Sequence, residues 1–183
     1  MMSNTLLESV VKKNRARLIP FMLALYVLAF LDRSNIGFAK ETYQLDTGLS
    51  NEAYALGAGI FFVVYAFLGV PANLLMRKFG ARRWIGCTTL LWGVLSAAMA
   101  WADTEAKFLL VRTLLGAAEA GFFPGMIYLT SQWFPQQNRA SIMGLFYMGA
   151  PLALTLGSPL SGALLLCKFL VEIAYCQKRT VVE

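Results

Sequence analysis

The stretch Leu18–Lys40, LIPFMLALYVLAFLDRSNIGFAK, decides how this chain is read. From Leu18 to Leu31 it carries no charge, and then Asp32 and Arg33 interrupt a run long enough to cross about 30 Å of hydrocarbon. A charge at the bilayer centre costs at least roughly 2.5–3.5 kcal/mol on insertion scales, so an ionisable residue kept inside a span marks a substrate or proton pathway by default. A second stretch, RTLLGAAEAGFFPGMIYLTSQWFP (Arg112–Pro135), repeats the pattern with Arg112 and Glu119.

The whole chain supports a membrane reading. Of 183 residues, 58% are hydrophobic, and the mean hydropathy is +0.59. About 45–50% apolar, glycine included, is usual for a soluble domain. Five apolar runs lie at about 18–39, 54–75, 84–102, 107–131 and 139–166, preceded by a basic leader (1–17) and followed by a tail (167–183). The leader and first run resemble a signal peptide, but four more spans follow and no A-x-A cleavage site is evident. The first run therefore reads as a transmembrane helix that also directs insertion. Pro151 and Pro159 lie in the fifth run, where bundle neighbours can accommodate them.

Several functions are excluded by composition. Histidine is absent, which removes His-based nucleophile activation and His metal ligation together. Cys87, Cys167 and Cys176 have no metal-ligand spacing and make no disulfide framework. No metal, organic cofactor or nucleic-acid partner is expected, and the net charge of +6 is concentrated beside the spans. The leader has Lys12, Lys13, Arg15 and Arg17, and the second loop has Arg77, Lys78, Arg82 and Arg83. The first loop is acidic, the third has only Lys107 among its bases, and the fourth has Arg139. Basic loops thus alternate sides, which predicts a cytoplasmic N-terminus. Trp84, Trp101 and Trp133 stand at span ends and read as interface anchors. Gly57, Gly59, Gly69 and Ala72, with Gly144, Gly149, Gly157 and Gly162, read as close helix packing, with a hinge as the lesser alternative.

The charged residues are expected to share one cavity. At about 1.5 Å per residue, Asp32, Arg33 and Arg112 fall at one level, and Glu119 lies two turns deeper, near the midplane. Arg112 and Glu119 share a helix face but are too far apart to pair, so Asp32 is the candidate partner of Arg112. An arginine fork binds a carboxylate bidentately, and a poorly solvated carboxylate can load and release a proton. The two arginines and two acids sum to zero charge. The alternative is a structural ion-pair network. Tyr65, in the second span, is equally suited to bonding a substrate hydroxyl or to a helix contact.

LIPFMLALYVLAFLDRSNIGFAK, PANLLMRKFGARRWIG (Pro71–Gly86) and RTLLGAAEAGFFPGMIYLTSQWFP together resemble the amino-terminal half of the major facilitator superfamily, in its anion:cation symporter group. The similarity covers about residues 10–165 and is greatest to bacterial inner-membrane permeases of L-rhamnonate. The resemblance implies an all-α membrane fold with five helices of a six-helix half, proton-coupled symport of a sugar-acid anion by alternating access, and location in a bacterial inner membrane. It implies proton coupling at Asp32 and Glu119, and substrate binding by Arg33 and Tyr65 with Arg112 as a charged cavity partner. The loop motif between spans 2 and 3 departs from the superfamily's pattern: Asn73 and Arg77 stand where glycine and aspartate are usual, while Arg82 and Arg83 keep its basic end. The sixth helix and the carboxy-terminal half, with which the chain would form its cavity, are missing. A frameshift or premature stop would explain both this and the atypical tail. The alternative function is a small five-helix structural or regulatory subunit without transport of its own.

Overall fold

The computed structural model describes the backbone of residues 2–180 and the side chains of residue 9, residues 11–163 and residue 166. Every regular element among them is helical: α1 (Met2–Phe38), α2 (Lys40–Thr47), α3 (Asn51–Phe79), α4 (Ala81–Ala98) with a 3-10 turn (Met99–Trp101), α5 (Glu105–Glu119), α6 (Phe122–Trp133), α7 (Gln136–Tyr147) and α8 (Gly149–Thr180). Five stretches are long and apolar enough to cross a membrane: Val11–Phe38, Asn51–Phe79, Ala81–Trp101, Glu105–Trp133 and Gln136–Ala163. The five expected spans are all present.

Four features differ from the sequence reading. The basic leader is not separate, because α1 is continuous from Met2 into the first span; lysine and arginine are good helix formers. A short helix, α2, fills the first loop and is held by Tyr43, whose hydroxyl donates to the Ala102 carbonyl at 2.5 Å. The fourth span breaks after Glu119, between α5 and α6. Pro124 is the cause: it has no N–H to offer the Ala120 carbonyl one turn earlier. The fifth span breaks at Met148, between α7 and α8. α8 stays helical through Thr180, and the side chains of the tail from Cys167 onward, with both of its cysteines, lie outside the described residues.

Within the spans the bundle is apolar outside, and Arg112 and Glu119 are buried, with Asp32 and Arg33 half-buried. Phe21, Phe62, Phe67, Val70, Leu90 and Val94 are exposed, as suits a surface solvated by lipid tails. Lipid provides no hydrophobic drive between helices, so close packing must hold them. Small residues provide it. A Cβ at Gly116 on α5 would lie 2.6 Å from the Phe61 carbonyl oxygen of α3. Gly149 and Gly157 of α8 lie against Tyr26 and Leu31 of α1, where a Cβ would come within 2.8 and 2.7 Å. Gly57 packs on Phe108, whereas Gly59, Gly144 and Gly162 have nothing within 4 Å of an added Cβ. Packing thus explains only part of the glycine pattern, and Gly116, the tightest approach of one backbone to another, was not singled out by it. Gly80, at φ 87°, turns the chain between α3 and α4.

Trp101 and Trp133 are exposed at span ends, consistent with anchoring. Trp84 is half-buried, stacks on Phe79, and faces Gly121, where a Cβ would come within 2.7 Å of its ring nitrogen. It packs into the bundle, since the break after Glu119 places a residue without a side chain opposite it.

Candidate functional site

The site is built where α1, α3 and α5 meet. Arg33 of α1 donates from Nε to Glu119 Oε2 of α5 at 2.8 Å, and a terminal guanidinium nitrogen lies 2.7 Å from the same oxygen. Glu119 is 1% exposed. Its other oxygen, Oε1, is buried without a hydrogen-bond partner. The guanidinium also faces three aromatic rings, at 4.5 Å from the centroid of Tyr65, 5.6 Å from Phe61 and 5.7 Å from Phe30. Ring faces stabilise a cation by about 0.5–2 kcal/mol each when water is excluded.

The expected levels are corrected by this pair. Rise per residue placed Arg33 beside Arg112, two turns from Glu119. Side chains, however, lean toward the N-terminus of their own helix. Spans 1 and 4 run in opposite directions, so Arg33 and Glu119 lean toward one another and the arginine's length closes the remainder.

Asp32 and Arg112 are not within ion-pair distance, although Asp32 is the side chain whose charge acts most on Arg112. Successive residues on a helix point about 100° apart. With Arg33 turned to α3 and α5, Asp32 is turned to α4, where the Ser96 hydroxyl donates to its carboxylate. Arg112 is 4% exposed and lies between the rings of Phe61 and Phe108, at 5.7 and 6.0 Å. Its Nε is buried without a partner. Asp32 and Arg112 still face one space: with Asn35, Tyr43, Tyr54 and Ser96 they line a cavity of about 260 Å³. A neighbouring cavity of about 410 Å³ contains Asp32, Asn35, Thr89, Ser96 and Ser161, and Ser161 donates to the Asn35 side chain at 3.2 Å.

All five residues singled out in the sequence therefore belong to one interior region, in two groups that meet at the Phe61 ring: Arg33, Glu119 and Tyr65, and Asp32 and Arg112. Phe61, Ser96 and Asn35 were missed. Ser96 and Asn35 are polar residues within apolar spans, which is a readable signal. Phe61 is one of many apolar residues in its span, and only its position between two arginines distinguishes it. Among the described residues no group of three His, Cys, Asp or Glu side chains converges as a metal site would require.

A bundle of apolar spans with balanced charges at its centre is the architecture of a membrane transporter, and residues 22–168 match the family model of the Major Facilitator Superfamily. The chain belongs to that superfamily. It is 92% identical over 164 residues to the inner membrane transport protein RhmT of Escherichia coli, covering 90% of this chain and 38% of the relative. A relative from Agrobacterium vitis, provisionally named a tartrate transporter, is 46% identical over 181 residues, covering 99% of this chain and 40% of its own length. The chain thus spans well under half the length of these curated relatives. Among solved structures, a bacterial homologue of the lysosomal transporter Spinster, inward-facing and occupied, superposes with a TM-score of 0.72 at 22% identity, over 81% of this chain and 32% of its own. That likeness concerns the fold.

Proposed function

We propose that this chain is the amino-terminal part of a proton-coupled symporter for sugar-acid anions, with L-rhamnonate as the best candidate, working by alternating access in a longer form that includes a second helical half. The reading rests on one observation above the others: the buried Arg33–Glu119 pair, with Arg33 exposed enough to meet a ligand and Glu119 fully enclosed.

Two nitrogens of Arg33 rest on one carboxylate oxygen. A substrate carboxylate offers both oxygens to the guanidinium fork, the stronger arrangement. When it takes Arg33, Glu119 loses its cation while buried, where an ionised carboxylate is costly. A proton on Glu119 removes that cost, so anion and proton enter together and leave together. Asp32, turned to Ser96 and sharing a cavity with Arg112, is the second proton-carrying position. Tyr65, against Arg33, orients the guanidinium and is placed to meet a substrate hydroxyl. The N-terminus lies in the cytoplasm of a bacterial inner membrane, in keeping with the distribution of basic loops. The names of the relatives from E. coli and Agrobacterium vitis support an organic anion as cargo.

The test joins residues 1–163 to the remaining length of the E. coli relative and reconstitutes the product. An inward proton gradient is expected to drive concentrative uptake of labelled L-rhamnonate. Glu119→Gln should abolish the uphill component and leave substrate binding and exchange. Concentrative uptake by Glu119→Gln at the parent rate would reject Glu119 as a coupling site and favour a structural ion pair.

A further inference from the structure

Among the described residues, Phe61 of α3 is the ring that faces both interior arginines. The guanidinium carbon of Arg33 lies 5.6 Å from its centroid, and that of Arg112 lies 5.7 Å from it. The other rings serve one arginine each: Phe30 and Tyr65 face Arg33, and Phe108 faces Arg112. Phe61 is 1% exposed and offers no surface to a ligand, so its effect on a bound anion passes through the arginines.

The ring is fixed from several directions. Its own backbone is where α3 comes closest to α5, since an added Cβ at Gly116 would lie 2.6 Å from the Phe61 carbonyl oxygen. Tyr65, one turn further along α3, stacks on it with centroids 6.1 Å apart and planes 17° apart. Leu115 and Ala118 of α5 belong to the same buried apolar cluster. A fixed ring face suits this place for an electrostatic reason. Arg112 is 4% exposed, and no carboxylate among the described residues lies within ion-pair distance of it. The face of an aromatic ring is negative and attracts a cation. Unlike a carboxylate, it does so without accepting the N–H hydrogen bonds that a bound anion would take.

We infer that Phe61 is a positioning residue for both arginines: its ring holds Arg33 at Glu119 and Arg112 at the cavity shared with Asp32, and leaves their N–H groups free for an anion. The seating of the two guanidinium groups is a property of the 183-residue chain itself. Its consequence for substrate binding rests on the organic-anion reading above, and deepens it by naming the residue that orders the binding fork in advance. A ring that only filled space would need its volume alone, whereas a positioning ring needs its π electrons.

The test makes Phe61→cyclohexylalanine, which keeps a six-membered ring and removes its π face, in the 183-residue chain. A second series places mono-, di- and trifluorinated phenylalanine at the same position. Fluorine drains the ring face in steps with little change of volume, so this series decides the matter even if the cyclohexyl variant fails to fold. The readout is the NMR order parameter of each arginine Nε–Hε bond, with Arg33→Lys and Arg112→Lys assigning the signals. The order parameters of Arg33 and Arg112 are both expected to fall, and to fall further with each added fluorine. Tyr65→Leu should lower Arg33 alone, and Phe108→Leu Arg112 alone. An unmoved signal for either arginine across the Phe61 series overturns the shared seat. A fall that ignores the number of fluorines shows that the ring acts by shape alone, and overturns it as well. In the chimera with the E. coli relative, Phe61→cyclohexylalanine should weaken L-rhamnonate binding by about three- to tenfold, because a less ordered fork loses its preorganisation. Unchanged binding in a chimera whose parent form binds would overturn the role of Phe61 in substrate binding. A parent chimera that binds no L-rhamnonate would reject the anion reading instead, and the order parameters would still decide the seating of the arginines.

Discussion

Arg33 sets two nitrogens on a single oxygen of Glu119, and the second oxygen of that carboxylate has no partner. The pair balances charge while leaving both groups short of their full hydrogen bonding. Such a pair is easier to separate than a fork-to-fork one, which suits the exchange of carboxylates proposed above.

Arg33→Lys tests the fork. A lysine keeps the charge and gives up the planar pair of donors. In the full-length chimera, substrate binding should weaken by about tenfold or more, the loss expected for a charge-assisted hydrogen bond of about 1.5–3 kcal/mol. Unchanged affinity by calorimetry would place the substrate elsewhere.

Asp32→Asn should impair gradient-driven uptake while leaving the Arg33–Glu119 pair in place, because Asp32 faces Ser96 and not Arg33. Parallel measurements of uphill uptake and of equilibrium binding separate the two effects. Parent-like uphill uptake would remove Asp32 from the coupling scheme.

Gly116→Ala tests the contact between spans 2 and 4. The added Cβ meets the Phe61 carbonyl oxygen, which is backbone and cannot swing aside. A loss of about 1–3 kcal/mol in stability is expected, read as a lowered thermal midpoint in detergent. Gly59→Ala, with nothing within 4 Å of its Cβ, serves as the control and should not lower the midpoint. Equal midpoints for the two variants would show that the helices do not approach this closely.

Asp103 lies in the loop between the third and fourth spans, and its carboxyl is held below the ordinary range, chiefly by the hydrogen bond from Lys107, whose Nζ lies 2.5 Å away. Because its folded value is lowered, the pair's contribution is present above the unfolded value and disappears as pH falls through the folded one. Both groups are exposed, so the effect on overall stability should be small. Carbon-detected NMR titration should find the Asp103 midpoint below that of a model aspartate, and Lys107→Met should raise it. A midpoint unmoved by Lys107→Met would show the contact to be absent in solution.

The orientation has its own test. A periplasm-active phosphatase fused after residue 166 should be active, and one fused at Arg82 should be silent. The reverse pattern would place the N-terminus outside.

The five spans were legible in the sequence because membrane insertion is decided locally: a run of apolar residues long enough to cross hydrocarbon is a property of consecutive residues, and so are the interruptions at Asp32, Arg33, Arg112 and Glu119. The breaks within two spans were less legible. Pro124 and Gly121 could have signalled the first, since a proline removes a particular backbone hydrogen bond, but Met148 carries no such mark. Trp84 stood at a span end like the other two tryptophans, and only the neighbouring Gly121 determined that it would pack inward.

Which charges exist, and that they sum to zero, followed from the sequence alone. Which charge meets which did not. Linear rise per residue assigns a level to each Cα, yet the partner is chosen by the direction of the side chain and by the neighbouring helix it faces. Adjacent residues on α1 diverge by about 100°, sending Arg33 to Glu119 and Asp32 to Ser96. Phe61, between the two arginines, is ordinary in its own span and acquires its place only when α3 closes on α5 at Gly116. Pairing depends on helix rotation and on side-chain lean, and both are fixed by contacts between segments far apart in the chain.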